Sequence, residues 1–507
     1  SLYLNGLLDE IKVYNFALSD AAVLTDYNRG GAVSFAGLNV WGEEGFSGAP
    51  PIAEWRFEER SGNTANDSSG KAHTGTLMNG PAWTHGKWGS ALSFDATDDY
   101  VDAGDSDDLT MQNFTLEAWI KWDGVRYSGA SQKDFATIIS KGKYNNGEYV
   151  LLFGRSTANS NNEIWLYING VLRVGWTNSA GLDTNWHFVS ATYDGSMAKI
   201  YLDGIERASA SVSTTVPNTS NTLKIGRQTT PYSDYYVWGG LLDEVKIYNY
   251  ARSKAQIAYD YNRGAPLAWW KFNECRGSSL GDSSGNGFTG TILPGSSGQT
   301  EAGDCEVSAN TLWYNGRQGK FRGSLNFDGQ DDYVDLNNAS ASSLLKVNLP
   351  LSIAVWVKAS SFSSYPVILA LDKWDNTLYC GAIFQIDTEG KPELEYGDCT
   401  GGGNTTYRRT KLADEAITTG QWYHLVGVVR GPTDMSIYIN GREVSGSYSG
   451  SGGALSYSSN SSKIGTSSPG IKHFAGQIDD LRLYNYDLTT EMVRKIMNEG
   501  AAVRFGP

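Results

Sequence analysis

"NWHFVSATYDGSMAKIYLDGIE", residues 185–206, decides the fold class. In its last part Asp203-Gly204 sits between two apolar runs, the short-range signature of a type I′ β-hairpin. The stretch returns as "QWYHLVGVVRGPTDMSIYINGRE" at 421–443, with Asn440-Gly441 at the same turn. Another such turn, Asn169-Gly170, lies in "IWLYINGVL". In "FTLEAWIKW", Leu116, Ala118 and Ile120 alternate with Glu117, Trp119 and Lys121, the period of two expected of a strand. About a dozen short strands per repeat suit an all-β fold of two packed antiparallel sheets, a jelly-roll sandwich.

The repetition extends over most of the chain. "AEWRFEERSGNTANDSSGKAHTGTL" (53–77) returns as "AWWKFNECRGSSLGDSSGNGFTGTI" (268–292), and "ALSFDATDDYVDAG" (91–104) as "SLNFDGQDDYVDLN" (324–337). "FTLEAWIKW" returns as "LSIAVWVKA", in the same order. Two sandwiches follow, over 51–264 and 265–507, joined closely through "APLA". Each ends in a strand and a short helix. Ser253 with Gln256 makes a capping box before that helix and Gly264 stops it; Thr489 and Gly500 hold the matching places. The same ending opens the chain as "LLDEIKVYNFALSDAAVLTDYNRG", so residues 1–30 are expected to be the closing strand and helix of a truncated preceding domain. Residues 31–50 form a connector.

Composition narrows the function. The 507 residues carry 12% aromatics, 59 Gly and a net charge of −14, which argues against a nucleic-acid partner, since phosphate binding needs a basic face. No signal peptide or apolar span for membrane insertion is evident. The four cysteines, Cys275, Cys305, Cys380 and Cys399, contain no CxxC pair. Two short-range disulfides, Cys275–Cys305 and Cys380–Cys399, are the simplest pairing and imply an oxidising compartment; four free buried thiols are the alternative.

"FDATDDYVDAG", "FTLEAWIKW", "NWHFVSATYDG" and "GGLLDEVKIYNYARSKAQI" resemble the laminin-G-like domains of the concanavalin A-like lectin/glucanase superfamily. The resemblance covers almost the whole chain apart from the connector. It implies secreted or cell-surface modules that bind sugars, mediate adhesion, cleave glucans or serve as spacers. It also implies calcium near the closing strand in many members.

Three sets of carboxylates are candidate calcium donors. Asp243 is expected on the apolar face of the closing strand with Leu241, Val245 and Ile247, and Asp479 with Leu481 and Leu483. A carboxylate there needs a partner, either a cation or backbone amides at the sheet edge. Asp95, Asp98, Asp99 and Asp102 crowd one turn, echoed by Asp328, Asp331, Asp332 and Asp335; turn chemistry explains part of this. Asp67 and Asp282 in the two "DSSG" segments are further donors, although an Asx-turn explains them better.

Catalysis is disfavoured. The related laminarinases and lichenases place two carboxylates in E-x-D-x-x-E, and no Glu here is followed two residues later by Asp. Glu117 has Ala354 as its counterpart. His187 and His424 read as structural, and no HExxH or P-loop is present. Binding remains. The loop "TTPYSDYYVWGG" offers Tyr232, Tyr235, Tyr236 and Trp238 as a sugar platform, unless these rings cover the sheet edge or pack on the neighbouring domain. The expectation is a non-catalytic extracellular or cell-surface protein for binding or adhesion. Its partners are a glycan or surface protein and neighbouring repeats of the same protein. Spacer repeats without a ligand are the alternative reading.

Overall fold

A computed structural model describes residues 49–124, 135–155, 162–178, 182–228, 236–307, 309–340, 343–363, 365–375, 377–467 and 472–497. The expected tail at 1–30, nearly all of the connector, Tyr232 and Tyr235 lie outside the described residues. The chain divides between Arg263 and Gly264 into two compact units. Each is a jelly-roll sandwich with its own core.

In the N-terminal unit the first sheet runs Ile205–Ser211, Met197–Leu202, His187–Tyr193, Phe114–Trp122, Gly239–Tyr248, Ser90–Asp95, Ala82–His85, with Ala53–Trp55 also on Gly239–Tyr248. The second runs Val171–Asn178, Asn162–Ile168, Tyr149–Arg155, Phe135–Lys141, Leu223–Ile225, Tyr100–Asp102, Gly75–Met78, Thr64–Ala65. Leu116, Ala118 and Ile120 from one sheet meet Tyr149, Leu151, Phe153, Ile164, Leu166 and Ile168 from the other in one core. Removing such side chains from water stabilises the fold by about 1.5–3 kcal/mol each. The C-terminal unit repeats the arrangement with Ile353, Val355 and Val357 facing Ala382, Phe384, Ile386 and Leu394.

Each sandwich ends in a helix, Lys254–Asn262 or Thr490–Met497. The capping box is formed, since the Ser253 side chain accepts from Gln256 N–H and the Gln256 side chain from Ser253 N–H. The helix Lys254–Asn262 lies on the outer face of the first sheet, where Ile257 packs with Trp119, Phe188 and Tyr201, and Tyr261 stacks on Trp119 at 5.6 Å. The outer side of that sheet is therefore covered around Trp119, Phe188 and Tyr201.

The closing strands differ from the expectation in one respect. Leu242, Val245 and Ile247 face the core, and Asp243 does not. Glu244 takes a left-handed φ of 48° and the register to Phe114–Trp122 slips between Asp243 and Lys246. This β-bulge inserts one residue and reverses the alternation. The same happens at Asp480, φ 51°, so Ile478, Leu481 and Leu483 are core while Asp479 is not. Both disulfides are present, Cys275–Cys305 and Cys380–Cys399, with Cα separations of 5.1 and 4.5 Å. Among the described residues no helix is long and apolar enough to cross a membrane.

Candidate functional site

In Asn162–Ile168 the residues Ile164, Leu166 and Ile168 point into the core, so Trp165 and Tyr167 stand on the outer face of the second sheet. Phe135 reaches the same face from the next-but-one strand, and its ring centroid lies 4.4 Å from that of Trp165. Tyr236 is 6.3 Å from Phe135, Tyr144 is 5.2 Å from Tyr236, and Tyr167 is 5.9 Å from Tyr144. All five rings are half-buried. Glycines beneath them explain their lie. A Cβ on Gly154 would stand 2.1 Å from Phe135, and one on Gly175 2.9 Å from Trp165. Because neither glycine carries a side chain, the rings rest against strand backbone.

Polar groups accompany the rings. Thr137 Oγ1 and Gln228 Nε2 are buried and have no hydrogen-bond partner among the described residues. Thr137 N–H donates to Tyr236 O at 3.0 Å, and Gln228 Oε1 accepts from Tyr144 N–H at 2.7 Å, which places both beside the rings. Glu163, two residues from Trp165, has its carboxyl pushed up by burial. Flat aromatic surface with unmet polar groups at its base suits a sugar, whose axial C–H faces need apolar contact while its hydroxyls need partners.

The C-terminal unit replaces this surface. Ile225 pairs with Ile139 in one unit and Ile464 with Leu369 in the other, which aligns the two second sheets. Thr137, Leu152 and Trp165 then correspond to Val367, Gln385 and Glu393. Ser140, Val150 and Tyr167 correspond to Ala370, Ile383 and Glu395. Tyr236 O accepts from Thr137 N–H, and Lys472 O accepts from Val367 N–H, so Tyr236 corresponds to Lys472. Three aromatic positions have become two acids and a base.

Of the two loop aromatics among the described residues, Tyr236 joins the platform and Trp238 does not. Trp238 is fully buried, 5.8 Å from Phe153, because it stands two residues further on and turns into the core. Phe135, Tyr144, Trp165 and Tyr167 were not anticipated; the alternation in "IWLYI" carried the signal for two of them.

Asp243 and Asp479 cap amides. Trp88 N–H donates to Asp243 Oδ2 at 3.1 Å and Glu244 N–H to Oδ1 at 2.8 Å. Phe321 N–H donates to Asp479 Oδ2 at 3.0 Å, with the amides of Lys320 and Asp480 close by, but Asp479 Oδ1 is buried without a hydrogen-bond partner. Burial pushes both carboxyls up to about 7, against the pull of those amides. Asp243, with one N–H on each oxygen, follows the amide-capping alternative, whereas Asp479 keeps one oxygen without a donor.

Asp67 is fuller still. Glu54 and Ser69 N–H donate to Oδ1, and the Ser69 hydroxyl and His73 N–H to Oδ2. Asp282 holds Trp269 and Ser284 N–H on Oδ1, and the Ser284 hydroxyl and Phe288 N–H on Oδ2. Each carboxylate thus uses all of its roughly four acceptor sites on its own chain, and neither fits a metal ligand.

The acidic turns fit better. Carboxylate oxygens of Asp95, Asp98 and Asp99 gather within 4.8 Å, as do those of Asp328, Asp331 and Asp332. Burial raises the carboxyl of Asp99, and that of Asp332 likewise. Asp331 Oδ1 is buried without a hydrogen-bond partner. An all-oxygen set with an orphaned acceptor is what a hard cation takes.

Glu117 is buried beneath the closing helix, 3.7 Å from Arg252, and cannot reach a substrate on either open surface. His187 is held by Asp203 at 2.9 Å and Asp183 at 3.1 Å, and His424 is buried against Trp356 at 5.2 Å.

Both units are antiparallel β-sandwiches, and one of them carries an aromatic sheet face. A family model, the concanavalin A-like lectin/glucanases superfamily of laminin G type, matches residues 95–258 and 328–494, and the chain belongs to this family. Among solved structures, domains LG4-5 of the mouse laminin alpha1 chain align at 15% identity over 81% of this chain and 93% of theirs, TM-score 0.25. Domain 4 of AbnA, an extracellular arabinanase from Geobacillus stearothermophilus in complex with arabinotriose, aligns at 17% identity over 42% of this chain and 98% of its own, TM-score 0.33. A SAP-like pentraxin from Limulus polyphemus aligns at 19% identity over 34% of this chain and 80% of its own, TM-score 0.25. These likenesses bear on neither ligand nor activity. No curated protein matches the chain.

Proposed function

We propose that the chain is a non-catalytic, extracellular glycan-binding protein. Its sugar platform is the outer face of the second sheet in the N-terminal unit. The observation that supports this most is the gathering of Phe135, Trp165, Tyr167, Tyr236 and Tyr144 on one face, with Thr137 Oγ1 and Gln228 Nε2 unmet beside them. The rings supply apolar contact for an uncharged pyranose or furanose and the two polar atoms supply orientation.

Calcium belongs to the same proposal as a structural ion. Asp95, Asp98 and Asp99 would hold one ion and Asp328, Asp331 and Asp332 another, pinning the turn that leads into each second sheet. The ion would neutralise carboxylates that otherwise repel at close range. Two disulfides and the family support an oxidising, extracellular setting.

The test is a glycan array on the full chain, followed by titration of each hit into wild type and Trp165→Ala. Binding of a neutral oligosaccharide that falls at least about tenfold in the variant supports the reading, a loss of about 1.4 kcal/mol. Release of reducing ends from any bound glycan overturns the non-catalytic part.

A further inference from the structure

The outer face of the second sheet in the C-terminal unit is built differently. Leu394 and Tyr396 face the core, so Glu393 and Glu395 stand outward on the strand Pro392–Asp398. Gln385 Nε2 bridges them, 2.8 Å from Glu393 Oε2 and 3.2 Å from Glu395 Oε1. Arg408 approaches Glu395 at 3.3 Å from the neighbouring strand, and Lys472 Nζ lies 3.2 Å from Gln385 Oε1. The acids are buried and the bases half-buried, so a ligand arriving from solvent meets the bases first.

Two polar atoms here are unmet. Thr410, 3% exposed, pairs across the strands with Glu395, and its Oγ1 has no hydrogen-bond partner among the described residues. Arg408 Nε has none either, while Glu395 Oε2 has only the Arg408 guanidinium, 3.3 Å away. Leaving such groups buried and unpaired costs on the order of 1–3 kcal/mol each, more for charged ones. Beside them Tyr365 keeps 40% of its surface in solvent, with Lys472 Nζ 5.0 Å from its ring centroid.

We propose that this face is a second ligand site, separate from the aromatic platform, and that it takes a carboxylate-bearing sugar. Tyr365 carries the sugar ring; Lys472 and Arg408 face the carboxylate; Thr410 and Glu395 meet hydroxyls. Burial and the neighbouring Glu393 raise the Glu395 carboxyl, which weakens its opposition to the two bases. A cationic ligand fits poorly, because both carboxylates lie beneath the bases and share an amide already. An uncharged sugar leaves Lys472 and Arg408 without the anion that their placement calls for.

The experiment is calorimetric titration of the full chain with trigalacturonate and with 3′-sialyllactose, the two sources of the carboxylate, beside an uncharged galactotriose control. Variants are Lys472→Gln and Tyr365→Ala, each checked for unchanged melting, and Trp165→Ala. The expected result is binding of at least one acidic sugar that weakens with added salt. It falls about tenfold or more in Lys472→Gln and in Tyr365→Ala and is unchanged in Trp165→Ala. Binding of neither acidic sugar by the folded chain overturns the proposal. So does acidic-sugar binding that survives both C-terminal variants, or that disappears in Trp165→Ala. Neutral binding that disappears in Trp165→Ala bears only on the aromatic platform, so the two sites fail separately.

Discussion

Trp165 and Glu393 occupy the same place in the two second sheets: each lies across from a residue, Leu152 or Gln385, that pairs in turn with the bulged strand, at Thr137 or Val367. The cores around them match and their outer faces do not. A duplicated sandwich keeps its scaffold and diverges where side chains leave the core.

Gly175 tests how the platform is built. Any side chain there meets Trp165 Cδ1 at 2.9 Å and lifts the indole from the sheet. Gly175→Val is expected to keep its β-sheet signal in circular dichroism while neutral-oligosaccharide affinity falls about tenfold. Undiminished affinity would show that the resting position of the ring does not matter.

Calcium is expected to raise the melting temperature of both units. An ion at a hundred times its dissociation constant adds about 2.7 kcal/mol to a folded state that alone binds it. Asp98→Asn is expected to abolish the rise in the N-terminal unit and Asp331→Asn in the C-terminal unit. Identical calorimetric traces in chelator and in calcium count against the ion.

Reductant is expected to act on one unit only. All four cysteines lie between residues 275 and 399, inside the C-terminal unit. Cys380–Cys399 closes a loop across the hairpin of Cys380–Ile386 and Pro392–Asp398. Closing a loop of that size stabilises by about 3 kcal/mol in the chain-entropy picture. Calorimetry with and without reductant should therefore shift one transition down and leave the other in place.

The capping aspartates set a pH dependence. Asp243 and Asp479 are pushed up to about 7, above the unfolded value of about 3.9. The folded state holds these protons more tightly. Their contribution to stability is therefore full below about 3.9 and is lost as pH rises through about 7. Urea midpoints are expected to fall from pH 5 to pH 8 in wild type, and to fall less in Asp243→Asn and Asp479→Asn. An equal fall in the variants would mean that other groups carry the dependence.

The sandwich, its duplication and the disulfide pairing were legible in the sequence because each is written locally, in two-residue periods, turn dipeptides and short cysteine spacings. The face of Asp243 was not. It depends on a single left-handed residue, Glu244, and a bulge that no hydrophobic pattern marks. The platform was legible only in part. Phe135, Trp165 and Tyr236 come from a strand, a second strand and a loop, and only the sheet register brings them together. Trp238 was misplaced because a loop tryptophan two residues past Tyr236 turns inward to fill the core.

The account rests most directly on the aromatic face, and titration of a neutral oligosaccharide into wild type and Trp165→Ala measures it. The account predicts saturable binding by wild type and an affinity lower by at least about tenfold in a variant whose melting temperature is unchanged. Equal affinity in the two folded proteins, or no binding of any neutral glycan by wild type, would contradict it.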